Sequence, residues 1–143
     1  MLNEEEAEYL IKAIEDKKNE NILHLSRQKI ENIKMRLFKK LKMTKSQIND
    51  FKKKLENYMY VSSVDEIKTG SFVRWFNEDD TEYKLTRGSI LVSVDIGKET
   101  TNIVIKNIMG GYYTLDFDKI ILFRKMTEQE LMITLAIDYV NKK

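Results

Sequence analysis

The chain has 143 residues, with 25 Lys and Arg against 23 Asp and Glu, so its formal net charge is only +2. This length suits one domain or a domain with an appendage, and it suffices to bury a hydrophobic core. Because there is no cysteine, the composition excludes disulfides, cysteine-ligated metals and thiol catalysis. The single histidine, His24, also excludes a histidine-rich metal site, and no residue pattern indicates a cofactor or a bound metal.

The small net charge hides an uneven distribution of charges along the chain. Residues 1–20 carry a net charge of −4, residues 21–60 carry +8, and residues 61–143 carry −2. Residues 27–54, named the basic segment here, hold eleven cations and only two acidic residues. The cations are Arg27, Lys29, Lys34, Arg36, Lys39, Lys40, Lys42, Lys45, Lys52, Lys53 and Lys54. They form the candidate basic binding surface.

The first 60 residues have the pattern of helices. Asn3 followed by Glu6 is typical of a capping box and predicts a first helix. Its apolar stripe would consist of Ala7, Leu10, Ile11 and Ile14. A second helix is predicted over about residues 22–41 and a third over about residues 45–59. The link between these two is very short, which predicts an antiparallel helical hairpin that carries the basic segment.

After residue 60 the apolar period changes from about 3.6 to 2, which predicts strands. Five are expected, at residues 72–76, 89–96, 102–107, 112–117 and 120–123. In the second, Ile90, Val92, Val94 and Ile96 are predicted to share one face. Short turns join the runs, so the pattern favours a small antiparallel barrel or a strongly bent sheet. Thr127 and Glu130 then predict a capped C-terminal helix.

The predicted organisation is therefore α+β, with a helical region over residues 1–60 and a β-barrel with its C-terminal helix over residues 61–143. The first residues lack the basic and apolar parts of a signal peptide. No apolar run is long enough to span a bilayer. We therefore expect a soluble, intracellular protein with no membrane span.

Three interpretations of the basic segment remain open. It binds nucleic acid through phosphate contacts, it docks on an acidic protein surface, or it is a solvated face in a chain whose lysine content reflects A/T-rich codons. The predicted third helix offers Gln47, Asn49 and Asn57 but no arginine, so recognition of a specific base sequence is not supported.

A second candidate surface is aromatic and consists of Trp75, Tyr112 and Tyr113. On an open barrel face such rings stack on bases or enclose a cationic side chain, and the alternative is that they pack in the core. Motifs for catalysis are missing. Gly110-Gly111 is not followed by Lys-Ser or Lys-Thr, and there is no Gly-x-Ser-x-Gly. We therefore expect no catalytic residues and no small-molecule substrate.

Four short segments carry a family resemblance: residues 70–76 (Gly-Ser-Phe-Val-Arg-Trp-Phe), 85–88 (Leu-Thr-Arg-Gly), 104–107 (Val-Ile-Lys-Asn) and 123–125 (Phe-Arg-Lys). Through them the chain resembles small, mostly uncharacterised proteins of large nucleocytoplasmic DNA viruses, over about residues 62–140. The β region is similar to SH3-like and Tudor-like barrels, which implies a five-stranded SH3-like barrel here. The resemblance implies a virus-encoded virion component or assembly factor, and it assigns no functional residue.

The function expected from the sequence is a non-enzymatic interaction module, a minor virion, structural or assembly protein that binds other virion proteins or itself. The alternative is a nucleic-acid-binding protein that uses the basic helical hairpin of residues 27–54.

Overall fold

The computed structural model describes residues 2–142. Within them the α-helices are α1 (Glu4–Glu15), α2 (Arg27–Lys40), α3 (Lys45–Lys54) and α4 (Glu128–Asn141). The strands are β1 (Tyr58–Val61), β2 (Phe72–Asn77), β3 (Ser89–Ile96), β4 (Thr101–Lys106), β5 (Tyr112–Asp116) and β6 (Ile120–Lys125). Short 3₁₀ helices cover Lys17–Ile22, Val64–Glu66 and Phe117–Lys119. The mixed α+β class predicted from the sequence is confirmed.

The chain groups into two compact units. The helical unit combines the residues up to Thr44 with those from Met126 onward, and so contains α1, α2 and α4. The sheet unit spans residues 45–125 and contains α3 and all six strands. The boundaries of these units reflect which residues contact one another in space, whereas the boundary predicted after residue 60 reflects the change in apolar period along the sequence.

Two helices of the helical unit begin with the capping boxes that the sequence predicts. In α1, the Asn3 side chain accepts a hydrogen bond from Glu6 N at 2.8 Å, and Asn3 N donates to Glu6 Oε1 at 3.4 Å. In α4, Thr127 Oγ1 accepts from Glu130 N at 3.1 Å, and Thr127 N donates to Glu130 Oε1 at 3.0 Å. Each box satisfies backbone N–H groups that have no partner inside the helix.

The predicted second helix is shorter than expected because a serine starts it late. The Ser26 hydroxyl accepts a hydrogen bond from Lys29 N at 3.0 Å, so α2 begins at Arg27. The preceding residues form the 3₁₀ helix that ends at Ile22. Its Asn19 is buried and donates to Ala13 O in α1 at 2.8 Å and to Gln129 Oε1 in α4 at 2.9 Å. This amide joins the 3₁₀ helix to two helices of the unit.

The sheet unit contains one antiparallel sheet with the strand order β1-β6-β2-β3-β4-β5. The predicted five-stranded SH3-like barrel is wrong, because the described residues form an open sheet of six strands whose two edges are β1 and β5. The missing strand lies where the third helix was expected to continue. α3 ends at Lys54, a turn follows with Tyr58 N donating to Leu55 O at 3.0 Å, and the β-favouring run of residues 58–61 pairs with β6.

The sheet bends around one hydrophobic cluster, to which β1, β2, β3, β4 and β6 contribute buried side chains. The cluster contains Val61, Val73, Trp75, Leu91, Ile103, Ile105, Phe117, Ile120 and Leu122, with Leu115 of β5 packed against it. Part of the bend comes from a β-bulge in β3, where Val92 is the extra residue between the pairs that Leu91 and Ser93 form with β4.

Candidate interaction surfaces

The basic segment is divided between the two units. Its first seven cations, from Arg27 to Lys42, belong to the helical unit, and the remaining four belong to the sheet unit. On α2, Lys29, Arg36 and Lys40 are exposed at spacings of seven and four residues. Because seven residues make about two turns of helix, these three cations share one face. Lys39 and Lys42 are also exposed, and Arg27 is half-buried.

Lys34 does not belong to that exposed face. It is buried, and its Nζ lies 2.7 Å from Glu31 Oε1 one turn earlier on α2. In the sheet unit, Lys45, Lys52, Lys53 and Lys54 are exposed. Lys54 Nζ lies 3.0 Å from Asp50 Oδ2, so a carboxylate offsets its charge. The eleven cations predicted as one surface thus include three on one exposed face of α2, one buried lysine on that helix and four exposed lysines in the sheet unit.

The three aromatic candidates lie in different environments. Trp75 is only 6% exposed and belongs to the core of the sheet unit. Tyr113 is on the same face of the sheet, with its ring centroid 6.0 Å from that of Trp75. Tyr112, the preceding residue of β5, is 63% exposed on the opposite, outer face. Only the two tyrosines are thus accessible to a partner.

The edge strand β5 is open to solvent, whereas the other edge strand, β1, is not. Tyr112, Tyr113 and Thr114 are all exposed, and Leu115 and Asp116 are half-buried. In contrast, three of the four residues of β1 are buried. Thr114 was not among the predicted candidates, and the sequence feature that points to it is the uncharged run Tyr-Tyr-Thr-Leu in a strand at the edge of the sheet.

An apolar hairpin tip joins β4 to β5. Ile108 is 78% exposed and Met109 is 90% exposed, although turn residues are usually polar. Asn107 N donates to Gly111 O at 2.7 Å and Gly110 N donates to Asn107 O at 2.9 Å, with a positive φ at Gly110. These bonds describe a three-residue hairpin loop whose left-handed position requires a residue such as glycine.

A further apolar surface lies on the helical unit. The inner side of α4 carries the buried Ile133 and Thr134, and the other side carries Leu135, 48% exposed, and Tyr139, 60% exposed. On α1, part of the predicted stripe is also exposed, since Ile11 and Ile14 face solvent while Ala13 is buried.

None of the helices within residues 2–142 is long and apolar enough to cross a membrane. The same residues contain no group of three or more His, Asp or Glu side chains arranged to hold a metal ion.

Comparisons with known proteins do not assign the chain to a family. No protein-family model, no curated protein and no solved structure matches it.

Proposed function

We propose that the protein is a non-enzymatic protein-interaction module whose helical unit docks on a partner protein through the exposed apolar side of α4. The observation that carries the proposal is the distribution of apolar residues around this helix. Ile133 is buried on one side, and Leu135 and Tyr139 are exposed on the other. A helix that is apolar on both sides is usually covered on both sides.

The chemistry of this surface favours a partner with an apolar groove. Burying a fully exposed aliphatic or aromatic side chain contributes about 1.5–3 kcal/mol, and the exposed parts of Leu135 and Tyr139 would each contribute a fraction of this to binding. α1 belongs to the same unit and adds exposed Ile11 and Ile14. As the setting of this interaction we propose a virus-encoded protein that acts in the virion or in its assembly.

The test compares the partner captured by two variants that add the same charge to the helical unit. Leu135→Asp places a carboxylate on the apolar side of α4, and Asn32→Asp places one on the exposed side of α2. We expect a protein captured from the expressing cells by the unaltered chain to be retained by Asn32→Asp and lost by Leu135→Asp. Circular dichroism would verify that both variants stay folded. Equal retention by both variants would remove α4 as the docking surface.

A second candidate function is nucleic-acid binding, which the exposed stripe of Lys29, Arg36 and Lys40 on α2 favours. Three phosphate contacts predict that the logarithm of the binding constant falls with the logarithm of salt concentration with a slope of about −3. The triple variant Lys29→Gln, Arg36→Gln, Lys40→Gln should abolish this binding. Lys98→Gln, which removes an exposed cation in the β3–β4 turn, should retain it. Undetectable binding at low salt would rule out this function.

A further inference from the structure

The hydrogen-bonding groups at the free edge of β5 can be assigned from the hairpin that precedes it. In antiparallel pairs, positions that exchange hydrogen bonds alternate with positions that do not. At the hairpin, Asn107 N donates a hydrogen bond to Gly111 O, so this opposed pair is a hydrogen-bonded one. Two residues further along the ladder, Ile105 and Tyr113 are therefore also a hydrogen-bonded pair. The pairs that Tyr112 and Thr114 form with β4 alternate with these and exchange no hydrogen bonds. The N–H and C=O groups of Tyr112 and Thr114 therefore point away from β4, toward the open edge.

This edge lacks the features that usually prevent association between sheets. Edge strands of monomers are commonly protected by lysine, proline, a bulge or a covering segment. β5 contains neither lysine nor proline, its register with β4 is regular, and its first three residues are exposed. Its one charged residue, Asp116, is at the end of the strand.

We propose that two copies of the chain pair through β5 as an antiparallel dimer, with the two-fold axis at Thr114, so that the two sheets continue into one. In this register Thr114 lies opposite Thr114 of the second copy, Tyr112 lies opposite Asp116, and Tyr113 lies opposite Leu115. The outward backbone groups of Tyr112, Thr114 and Asp116 then meet their counterparts as hydrogen-bonded pairs.

The side chains of β5 are complementary to themselves in this register. On the core face, the exposed ring of Tyr113 would cover the half-buried Leu115 of the second copy, an aromatic–aliphatic pair that occurs twice by symmetry. On the outer face, Thr114 pairs with its own copy, and threonine pairs across strands are favourable.

The charges near the edge are complementary as well. Lys106 of β4 lies opposite Tyr112, and Asp116 lies opposite Asn102, at the two ends of the same ladder. The two-fold axis reverses the direction of the second strand, so Asp116 of each copy comes within two strand spacings, about 10 Å between Cα atoms, of Lys106 of the other. Because lysine has a long side chain, the two charges can meet across Tyr112. A second copy therefore fits this edge in hydrogen bonding, in apolar packing and in charge.

The decisive experiment places opposite charges at the two-fold axis. Thr114 is exposed and its side chain is on the outer face, so both Thr114→Arg and Thr114→Glu should fold as the unaltered chain does. Two like charges directly opposite each other across an interface should weaken dimerisation by more than about tenfold in either variant alone. An equimolar mixture should form a heterodimer, because arginine then faces glutamate. Sedimentation velocity from about 1 μM to 1 mM protein covers the affinity expected for an interface this small.

The matched control is Ser93→Arg. Ser93 is exposed in β3 and pairs with Val104, which in turn pairs with Thr114, so the added charge is in the same row and away from the edge. We expect this variant to dimerise normally. The dimer would be overturned by a monomeric unaltered chain over the whole concentration range. The β5 register would be overturned by a dimer that neither Thr114 variant weakens.

Hydrogen exchange gives an independent readout of the register. The amides of Tyr113 and Leu115 face β4 and should be protected at any concentration, whereas those of Tyr112 and Thr114 should become protected only on dimerisation. Protection of Tyr112 and Thr114 in dilute protein would contradict the assignment of the free edge. The dimer test does not involve α4, so its failure leaves the proposed function of α4 standing. Likewise, the loss of partner binding through α4 would leave the β5 dimer standing.

Discussion

Trp75 and Tyr113 are in ring contact although their strands are not neighbours. Their ring centroids are 6.0 Å apart with an interplanar angle of 52°, while β3 and β4 lie between their strands in the sheet. Three strand spacings in a flat sheet would separate them by about 14 Å. The sheet therefore curls strongly toward its core face, and this contact joins the edge strand β5 to β2 across the inside of the curl.

The first prediction concerns the stability of this contact. Tyr113→Ala should lower the free energy of unfolding by about 2 kcal/mol, because it removes a ring packed on a buried tryptophan. A double-mutant cycle with Trp75→Phe should give a coupling of about 0.5–1.5 kcal/mol. Urea denaturation in dilute protein measures both values. Tyr112→Ala is the control, since its ring is on the outer face and should contribute less than about 0.5 kcal/mol. Equal costs for the two tyrosines would contradict the curled sheet.

The curl also explains why the sequence predicted a barrel. A closed barrel and a strongly bent open sheet have the same alternation of inward and outward residues, so periodicity does not distinguish them. Closure depends on whether the first and last strands meet, which is a long-range property. The sixth strand was missed because Ile48, Phe51, Leu55 and Tyr58 continue a helical spacing beyond the point where α3 ends. Pairing with β6 overrides that local signal.

The side chains of β3 show a second case in which the sequence period does not predict which face of a strand is buried. Ile90, Val92, Val94 and Ile96 were predicted to share one face, and this prediction was wrong. Before the bulge Leu91 is buried and Ile90 is exposed, whereas after the bulge Val94 packs against the core, so the extra residue Val92 exchanges the two faces. An extra residue leaves the sequence alternation intact while it shifts every later side chain by one position, so only the register reveals it. In β4, the buried apolar residues are Ile103 and Ile105.

The candidate basic surface was only partly predictable for a related reason. Net charge identified the segment but not which lysines face solvent. Lys34 follows Ile30 and precedes Phe38 at intervals of four residues, and both of these are buried on α2. That spacing places Lys34 on the buried stripe, a signal that a count of charges ignores.

The second prediction contrasts a buried with an exposed ion pair. Glu31→Gln should lower the free energy of unfolding by about 2–3 kcal/mol, because it removes the carboxylate that faces the buried ammonium of Lys34. Asp50→Asn breaks the exposed pair with Lys54 and should cost less than about 0.5 kcal/mol. Chemical denaturation of both variants tests the contrast. A cost for Glu31→Gln as small as that for Asp50→Asn would mean that Lys34 does not need this carboxylate.

The third prediction uses two glycines that both have positive φ. A Cβ at Gly88 would overlap the Phe72 ring, with Cζ at 2.6 Å, and would lie 2.9 Å from Val73 O, whereas a Cβ at Gly70 would meet nothing within 4 Å. Gly70→Ala therefore bears only the backbone cost of about 1–2 kcal/mol. Gly88→Ala adds the overlap and should cost about 3 kcal/mol or more. Thermal unfolding of the two variants separates these effects, and equal melting temperatures would show that the surroundings of Gly88 relax freely.

The fourth prediction concerns stability at alkaline pH. Burial raises the pKa of Tyr58 above its usual value of 10.0, although the nearby charge of Arg74 partly opposes this. Burial also raises the pKa of Tyr60, and Glu78 and Glu66 raise it further. In the unfolded chain both hydroxyls should titrate near the usual value. Between the unfolded and the folded pKa the native state holds more protons, so the free energy of unfolding should fall as pH rises above about 10.

Two variants assign this alkaline loss of stability to its source. Tyr60→Phe removes a hydroxyl that resists ionisation in the folded state, so the decline of stability above about pH 10 should become shallower, and Tyr58→Phe should act in the same direction. Below about pH 9 both states hold these protons, so the pH dependence should match that of the unaltered chain. Urea unfolding across this range measures the slopes, and absorbance titration of the folded protein should show a fraction of the tyrosine signal ionising late. A decline that is unchanged in both variants would place the alkaline sensitivity in other groups.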